Sequence, residues 1–97
     1  MRRAARVDDN QHEIVAALRA AGCSVTSLAA VGKGCPDIVV GVGGVNYLLE
    51  IKDGRKAPSK RRLTQAEEAW HISWRGRVSI VNSVEEALTA VGLVNVV

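Results

Sequence analysis

The sequence predicts an α/β domain, a mixed β-sheet with helices on both faces, and three observations carry that prediction. Two apolar runs rich in β-branched residues, 37–42 and 45–52, flank Gly43-Gly44. Adjacent glycines between such runs mark a β-hairpin, because primed turns need positive φ. A third strand-like run, 77–82, is separated from the hairpin by a segment of helical character, so the strands first meander and then cross over a helix. Both faces of the hairpin are largely apolar, as expected of a sheet covered on both sides.

The elements follow in order. Residues 10–21 read as a helix: Ile14, Ala17, Leu18 and Ala21 recur at helical spacing, Asn10 with Glu13 fits a capping box, and Gly22 suits the position after the C-cap. Residues 24–30 form a weakly patterned strand. Lys33-Gly34-Cys35-Pro36 is a turn, since Pro36 lacks a donor and Gly34 permits unusual dihedrals. After the hairpin, 53–62 is a basic loop. Residues 64–75 make a second helix, opened by Thr64 and Glu67 as a capping box and closed by Gly76. A short strand over 77–82 precedes a last helix over 83–91, with Ser83 and Glu86 as a third box. The order is α-β-β-β-α-β-α, with no internal repeat and no linker.

Ninety-seven residues are expected to make one domain with one modest core. Aromatic residues are only 3% and Phe is absent, so the core is built from Val, Ile, Leu and Ala, and the composition argues against a single-strand binder stacking bases on a row of rings. The net charge of +3 is compatible with a polyanionic partner, and its distribution says more: five of the thirteen basic residues lie within 55–62, and Arg2, Arg3 and Arg6 sit near the start. Cys23 and Cys35 have neither the number nor the spacing of a disulfide framework, and with His12 and His71 they make no zinc motif, so reduced thiols are expected. The basic opening MRRAARVDDN is followed by no apolar run, which speaks against a signal peptide, and no stretch approaches the roughly 20 apolar residues of a membrane span.

The chemistry falls on the hairpin. A turn centred on Gly43-Gly44 pairs Val42 with Val45, and continuing that register sets Asp37 opposite Glu50. Directly opposed residues share a face with Cβ atoms about 5 Å apart, and Lys52, two residues on, points the same way. Opposed carboxylates repel unless something positive lies between them. Hard oxygen ligands at that spacing suit Mg²⁺ or Mn²⁺, and the Ile51 carbonyl offers a further oxygen. A lone Glu-x-Lys on a strand end is ordinarily a solvated edge; its convergence with Asp37 after a rigid Gly-x-Pro turn is what gives it meaning.

Gly34-Cys35-Pro36-Asp37 followed by Glu50-Ile51-Lys52, with Glu13 on the preceding helix, resembles the PD-(D/E)xK nuclease pattern. Leu63-Thr64-x-x-Glu67, the Trp70-His71 pair and the closing run from Gly76 through Val84-Glu85-Glu86-Ala87 resemble its VRR-NUC branch, the virus-type replication-repair nuclease module, along nearly the whole chain. That resemblance implies a restriction-endonuclease-like αβββαβ core and metal-dependent phosphodiester cleavage, with Asp37 and Glu50 binding metal, Lys52 acting on the attacking water and the phosphate, and Glu13 assisting. Stand-alone members, mostly phage or prophage encoded, resemble dimeric enzymes that cut four-way DNA junctions, which implies a homodimer in the cytoplasm of a bacterial or phage-infected cell. Larger relatives act on flaps.

The chain departs from the family where Glu67 stands in place of a frequent Gln and Gln65 in place of a frequent Pro. Glu67 is therefore both a candidate catalytic residue and a capping partner of Thr64, and Glu13 has the same rival role through Asn10. Trp70 and Trp74, four apart, are expected to serve in core or interface packing rather than as DNA wedges. Lys33 and the loop residues Arg55, Lys56, Lys60, Arg61 and Arg62 are candidates for backbone phosphate contacts, against a solvated loop as the plain alternative. Three functions fit: a junction-cutting, metal-dependent endonuclease, a nuclease of the same chemistry acting on flap, nicked or duplex DNA, and a non-catalytic DNA-binding module. The intact Asp, Glu and Lys favour the first two.

Overall fold

Gly43 and Gly44 take φ of 60° and 78°, the left-handed values of a primed two-residue turn. In this computed structural model, which describes residues 10–93, they join β2 (Ile38–Val42) to β3 (Val45–Ile51). The antiparallel register runs from Val42 opposite Val45 to Ile38 opposite Leu49. β1 (Ser24–Ser27) pairs antiparallel with β2, and β4 (Val78–Val81) pairs parallel with β3. The result is a four-stranded mixed sheet in the order β1-β2-β3-β4. The crossover that a parallel neighbour demands is supplied by α2 (Gln65–Ser73), while α1 (Gln11–Ala20) opens the described fold and α3 (Val84–Ala90) follows β4.

Alternation along β2 and β3 sends Ile38, Val40, Leu49 and Ile51 to one face, where they meet Ile14 and Leu18 of α1 and Ala87 of α3 in a core that Cys23, Val81 and Val91 complete. α1 and α3 share this face and touch each other. The opposite face, carrying Glu50 and Lys52, is crossed by α2, which buries no residue fully. The sheet is thus covered closely on one side and only in part on the other, with Ile80 left half exposed. Both cysteines are free, Cys23 within the core. No helix among the described residues is long and apolar enough to cross a membrane.

The helix ends obey local chemistry with one exception. After α1, Gly22 at φ 95° lets its N–H reach the Arg19 carbonyl and that of Cys23 reach Leu18, a Schellman closure. Gly92 ends α3 the same way through Thr89 and Leu88. Thr64 and Glu67 form the full reciprocal capping box of α2. Ser83 caps Glu86 N–H, but the Glu86 carboxylate turns to Asn82, so that box is half built. The exception is Asn10. Its side chain makes no cap and Glu13 makes no box; instead Nδ2 donates to the carbonyls of Lys52 (2.9 Å) and Asn82 (3.3 Å), pinning the start of α1 to the ends of β3 and β4. Two buried strand-end carbonyls compete for that amide and win. β1 stops at Ser27 rather than at residue 30: Leu28 N–H still bonds to Asp37 O, but Val31 N–H then closes a turn on Leu28 O and carries the chain away from β2. Gly76 does not close α2, which ends at Ser73 with Trp74 in extended conformation.

Gly34 decides where α2 lies. It sits at φ 81°, and a Cβ there would fall on the Ala66 carbonyl and within 2.8 Å of Glu67 N, so the turn before β2 touches the first turn of α2 directly. Ala at Gly43, by contrast, meets open space and suffers only the left-handed backbone. Gly43→Ala should cost about 1 kcal/mol, whereas Gly34→Ala, which adds a backbone clash, should cost about 3 kcal/mol. Thermal melts of the two variants check this; equal losses would mean that the Gly34–α2 contact contributes nothing.

Candidate active site

Continuing the β2–β3 register by one pair beyond Ile38–Leu49 brings Asp37 opposite Glu50, at the open end of the hairpin. β2 has ended by then, and the Asp37 side chain takes over its ladder: Oδ2 accepts from Ile51 N–H at 2.6 Å, while Asp37 N–H donates to Leu49 O at 3.1 Å. Asp37 is thereby locked against the backbone of β3. N–H and C=O of one strand residue point to the same edge, so the Ile51 carbonyl is directed to the Asp37 side. Glu50 is 1% exposed and the Asp37 carboxylate is its immediate electrostatic neighbour.

Lys52 Nζ lies 3.8 Å from Glu50 Oε2 and 2.9 Å from Glu67 Oε1. The same Glu67 oxygen accepts Thr64 N–H at 2.8 Å, so the two roles expected of Glu67 coincide: it caps α2 and holds Lys52. One turn further, His71 Nε2 stands 3.7 Å from Glu50 Oε1. The match is geometric. Four residues of helix advance about 6 Å and two residues of strand about 6.7 Å, so Glu67 and His71 on one face of α2 fall over Lys52 and Glu50 on β3. His71 was missed as a site residue by sequence reasoning; the Glu-x-x-x-His spacing on α2 set against Glu-x-Lys on β3 was the available signal.

Electrostatics follow from this burial. Burial first, then the hydrogen bond and charge of Asp37 and the charge of Glu67, push the Glu50 carboxyl up to about 9, with Lys52 pulling the other way. Burial works against the charged form of Glu67 also, but its bonds from Lys52 and from Thr64 N–H outweigh that and hold it below the usual carboxylate range. Burial, then Glu50 and Asp37, raise the half-buried Cys35 thiol beside them.

Other expected residues lie outside this cluster. Glu13 is exposed and lines a groove with Asn10, Arg55, Asn82 and Glu85. Lys33 is exposed in the turn at φ 60°. In the loop, Arg55 is held by Asp53 through Nε–Oδ1 at 2.9 Å and Nη2–Oδ2 at 3.0 Å, and that guanidinium lowers the Asp53 carboxyl to about 2. Arg61 Nε donates to Lys56 O. Lys56, Lys60 and Arg62 are exposed, on a loop shaped by a short 3-10 turn at Pro58–Lys60. Trp70 and Trp74 stack on each other at 4.6 Å; Trp70 is half-buried, while Trp74 and, more so, Ile72 are exposed and lie outside the core. Arg2, Arg3, Arg6 and the apolar tail after Leu93 lie outside the described residues.

Among the described residues no three His, Cys, Asp or Glu side chains form a ready cage for a metal ion. The donors fit the other mode of binding hard cations, in which one or two carboxylates hold Mg²⁺ and water completes the shell. A like-charged pair locked together by the backbone is a site whose ionised form calls for a cation.

A raised carboxyl sets the sign of the pH dependence. The folded chain holds the Glu50 proton more tightly than the unfolded chain, whose value is near the usual 4.5; the stabilisation is complete below that value and is lost as pH climbs toward 9. In EDTA, wild type should therefore lose melting temperature relative to Glu50→Gln as pH rises from 5 to about 9, and a divalent cation should remove the difference. A gap that does not change with pH would contradict the protonated, buried Glu50. Comparison with protein families, curated proteins and solved structures returns no match, so the chemistry of the site is the guide to its function.

Proposed function

We propose that the protein is a divalent-metal-dependent endodeoxyribonuclease that hydrolyses phosphodiester bonds in branched DNA, four-way junctions foremost. The observation that carries this reading is the buried Glu50 carboxyl set against Asp37, with the Lys52 ammonium beside it. The α-β-β-β-α-β element order with its mixed sheet is what a restriction-endonuclease-like core requires, and it supports the same reading. The resemblance to the stand-alone VRR-NUC pattern supports branched DNA as substrate.

Asp37, Glu50 and the Ile51 carbonyl would hold the cation, which when bound lowers the pKa of a water and offsets charge on the phosphate. The chain's own part is positioning. Asp37 is fixed by the Ile51 N–H and Glu50 by burial, so neither carboxylate has to be ordered when substrate arrives. Lys52, steered by Glu67, presents its ammonium to the water that attacks phosphorus and to the non-bridging oxygens as negative charge builds there. The P–O bond to the new water oxygen forms as the bond to the leaving 3′-oxygen breaks; the water gives up one proton to solvent and the leaving oxygen takes one up from solvent. Lys56, Lys60, Arg61 and Arg62, together with Arg55, lie on the loop that leaves Lys52 and supply sequence-independent attraction for flanking phosphates. Paired nicks need two sites, and the exposed Ile72 of α2 and the stacked Trp74 just after it offer apolar surface for a twofold homodimer.

Purified protein should cut labelled four-way junctions in Mg²⁺ or Mn²⁺ and be silent in EDTA, with flap and duplex DNA cut more slowly. Asp37→Asn and Glu50→Gln should abolish cleavage with the fold retained, Lys52→Ala should lose about 10²–10³-fold, and Glu67→Gln, acting through Lys52, about tenfold. Flap or duplex DNA cut faster than junctions would reassign the substrate, and cleavage surviving in EDTA or in Asp37→Asn would overturn the mechanism.

A further inference from the structure

Glu50 Oε1 and His71 Nε2 are both shut off from solvent, and neither has a hydrogen-bond partner. They face one another at 3.7 Å. Leaving a buried polar atom unsatisfied costs about 1–3 kcal/mol, and here two such atoms stand within less than an ångström of bonding distance. Oε1 has no hydrogen-bond partner, which leaves Oε2, the oxygen nearer Lys52, for the contacts of Glu50 with Asp37 and Glu67. With any Glu50 proton on Oε2, where Asp37 lies, Oε1 is an acceptor. Only an imidazole with hydrogen on Nε2 satisfies both atoms. The alternative tautomer would set a lone pair against a lone pair.

We infer that His71 is a positioning residue: its Nε2–H donates to Glu50 Oε1 and so turns Oε2 toward Asp37 and Lys52, where the cation of the proposed nuclease would be held. The imidazole is fixed for this task by its place one turn after Glu67 on α2 and by edge contact with Trp70, at 5.9 Å between ring centroids. The inference rests on the nuclease reading for the cation, but the Glu50–His71 bond itself does not. Partners behind a metal ligand set its orientation, and losing one typically weakens metal binding about 10–100-fold.

Two measurements on the full chain test it. In ¹⁵N-labelled protein, long-range ¹H–¹⁵N spectra should show His71 as the Nε2–H form, with that proton protected from exchange, in EDTA and in Mg²⁺ alike. Calorimetric titration with Mg²⁺ or Mn²⁺ should then give about tenfold weaker binding for His71→Phe, which keeps a ring of similar size, and near wild-type binding for His71→Gln, whose amide N–H can reach the same oxygen. A bare Nε2 in the spectra, or His71→Phe binding as tightly as wild type, would overturn the positioning role. If wild type binds no divalent cation at all, the nuclease reading and the metal-positioning role fall together, while the spectra still decide whether the Glu50–His71 bond exists.

Discussion

A carboxylate at 1% exposure facing another carboxylate is the constraint around which this fold is arranged. Glu50 sits mid-sheet on β3, between Asp37 and the underside of α2, where ionisation is unfavourable without a counter-charge. Asp37 cannot swing away, since its side chain substitutes for the missing residue of β2 on the ladder. Lys52 only partly compensates because Glu67 claims it at 2.9 Å, closer than the 3.8 Å to Glu50. Glu50 therefore holds its proton at neutral pH, and on the proposed reading a divalent cation takes that proton's place.

The two faces of the sheet divide the work. Stability comes from the α1/α3 side, where Ile14, Leu18, Ile38, Val40, Leu49 and Ile51 are all but inaccessible. The other face is dressed lightly: α2 has no fully buried residue and is held by the Gly34 contact, its capping box and its polar bridges to β3. A helix anchored in this way can place Glu67 and His71 accurately yet leave room at the edge of the sheet. On the proposed reading, that edge is where a DNA backbone enters, beside the exposed basic loop.

Local chemistry makes much of this legible in the sequence. Gly43-Gly44 dictated the turn, the turn dictated the register, and the register placed Asp37 against Glu50, because strand pairing is arithmetic once its centre is known. Thr64 with Glu67, and Gly22 after α1, read correctly for the same reason: a cap depends on residues three or four apart. What failed depended on partners far along the chain. Asn10 looked like a cap but is captured by carbonyls 42 and 72 residues away. His71 looked unremarkable because its relation to Glu50 exists only once α2 is laid across β3. Arg55, a candidate phosphate contact, is by contrast paired locally, its guanidinium meeting the Asp53 carboxylate two residues before it.

On the proposed reading, Glu50 holds a proton at neutral pH and a divalent cation replaces it. Titration calorimetry of Mg²⁺ or Mn²⁺ at pH 7, repeated in buffers of different ionisation enthalpy, measures that exchange directly. The account predicts close to one proton released for each cation bound, and none from Glu50→Gln. Binding without proton release would contradict it, and so would release that persists in Glu50→Gln.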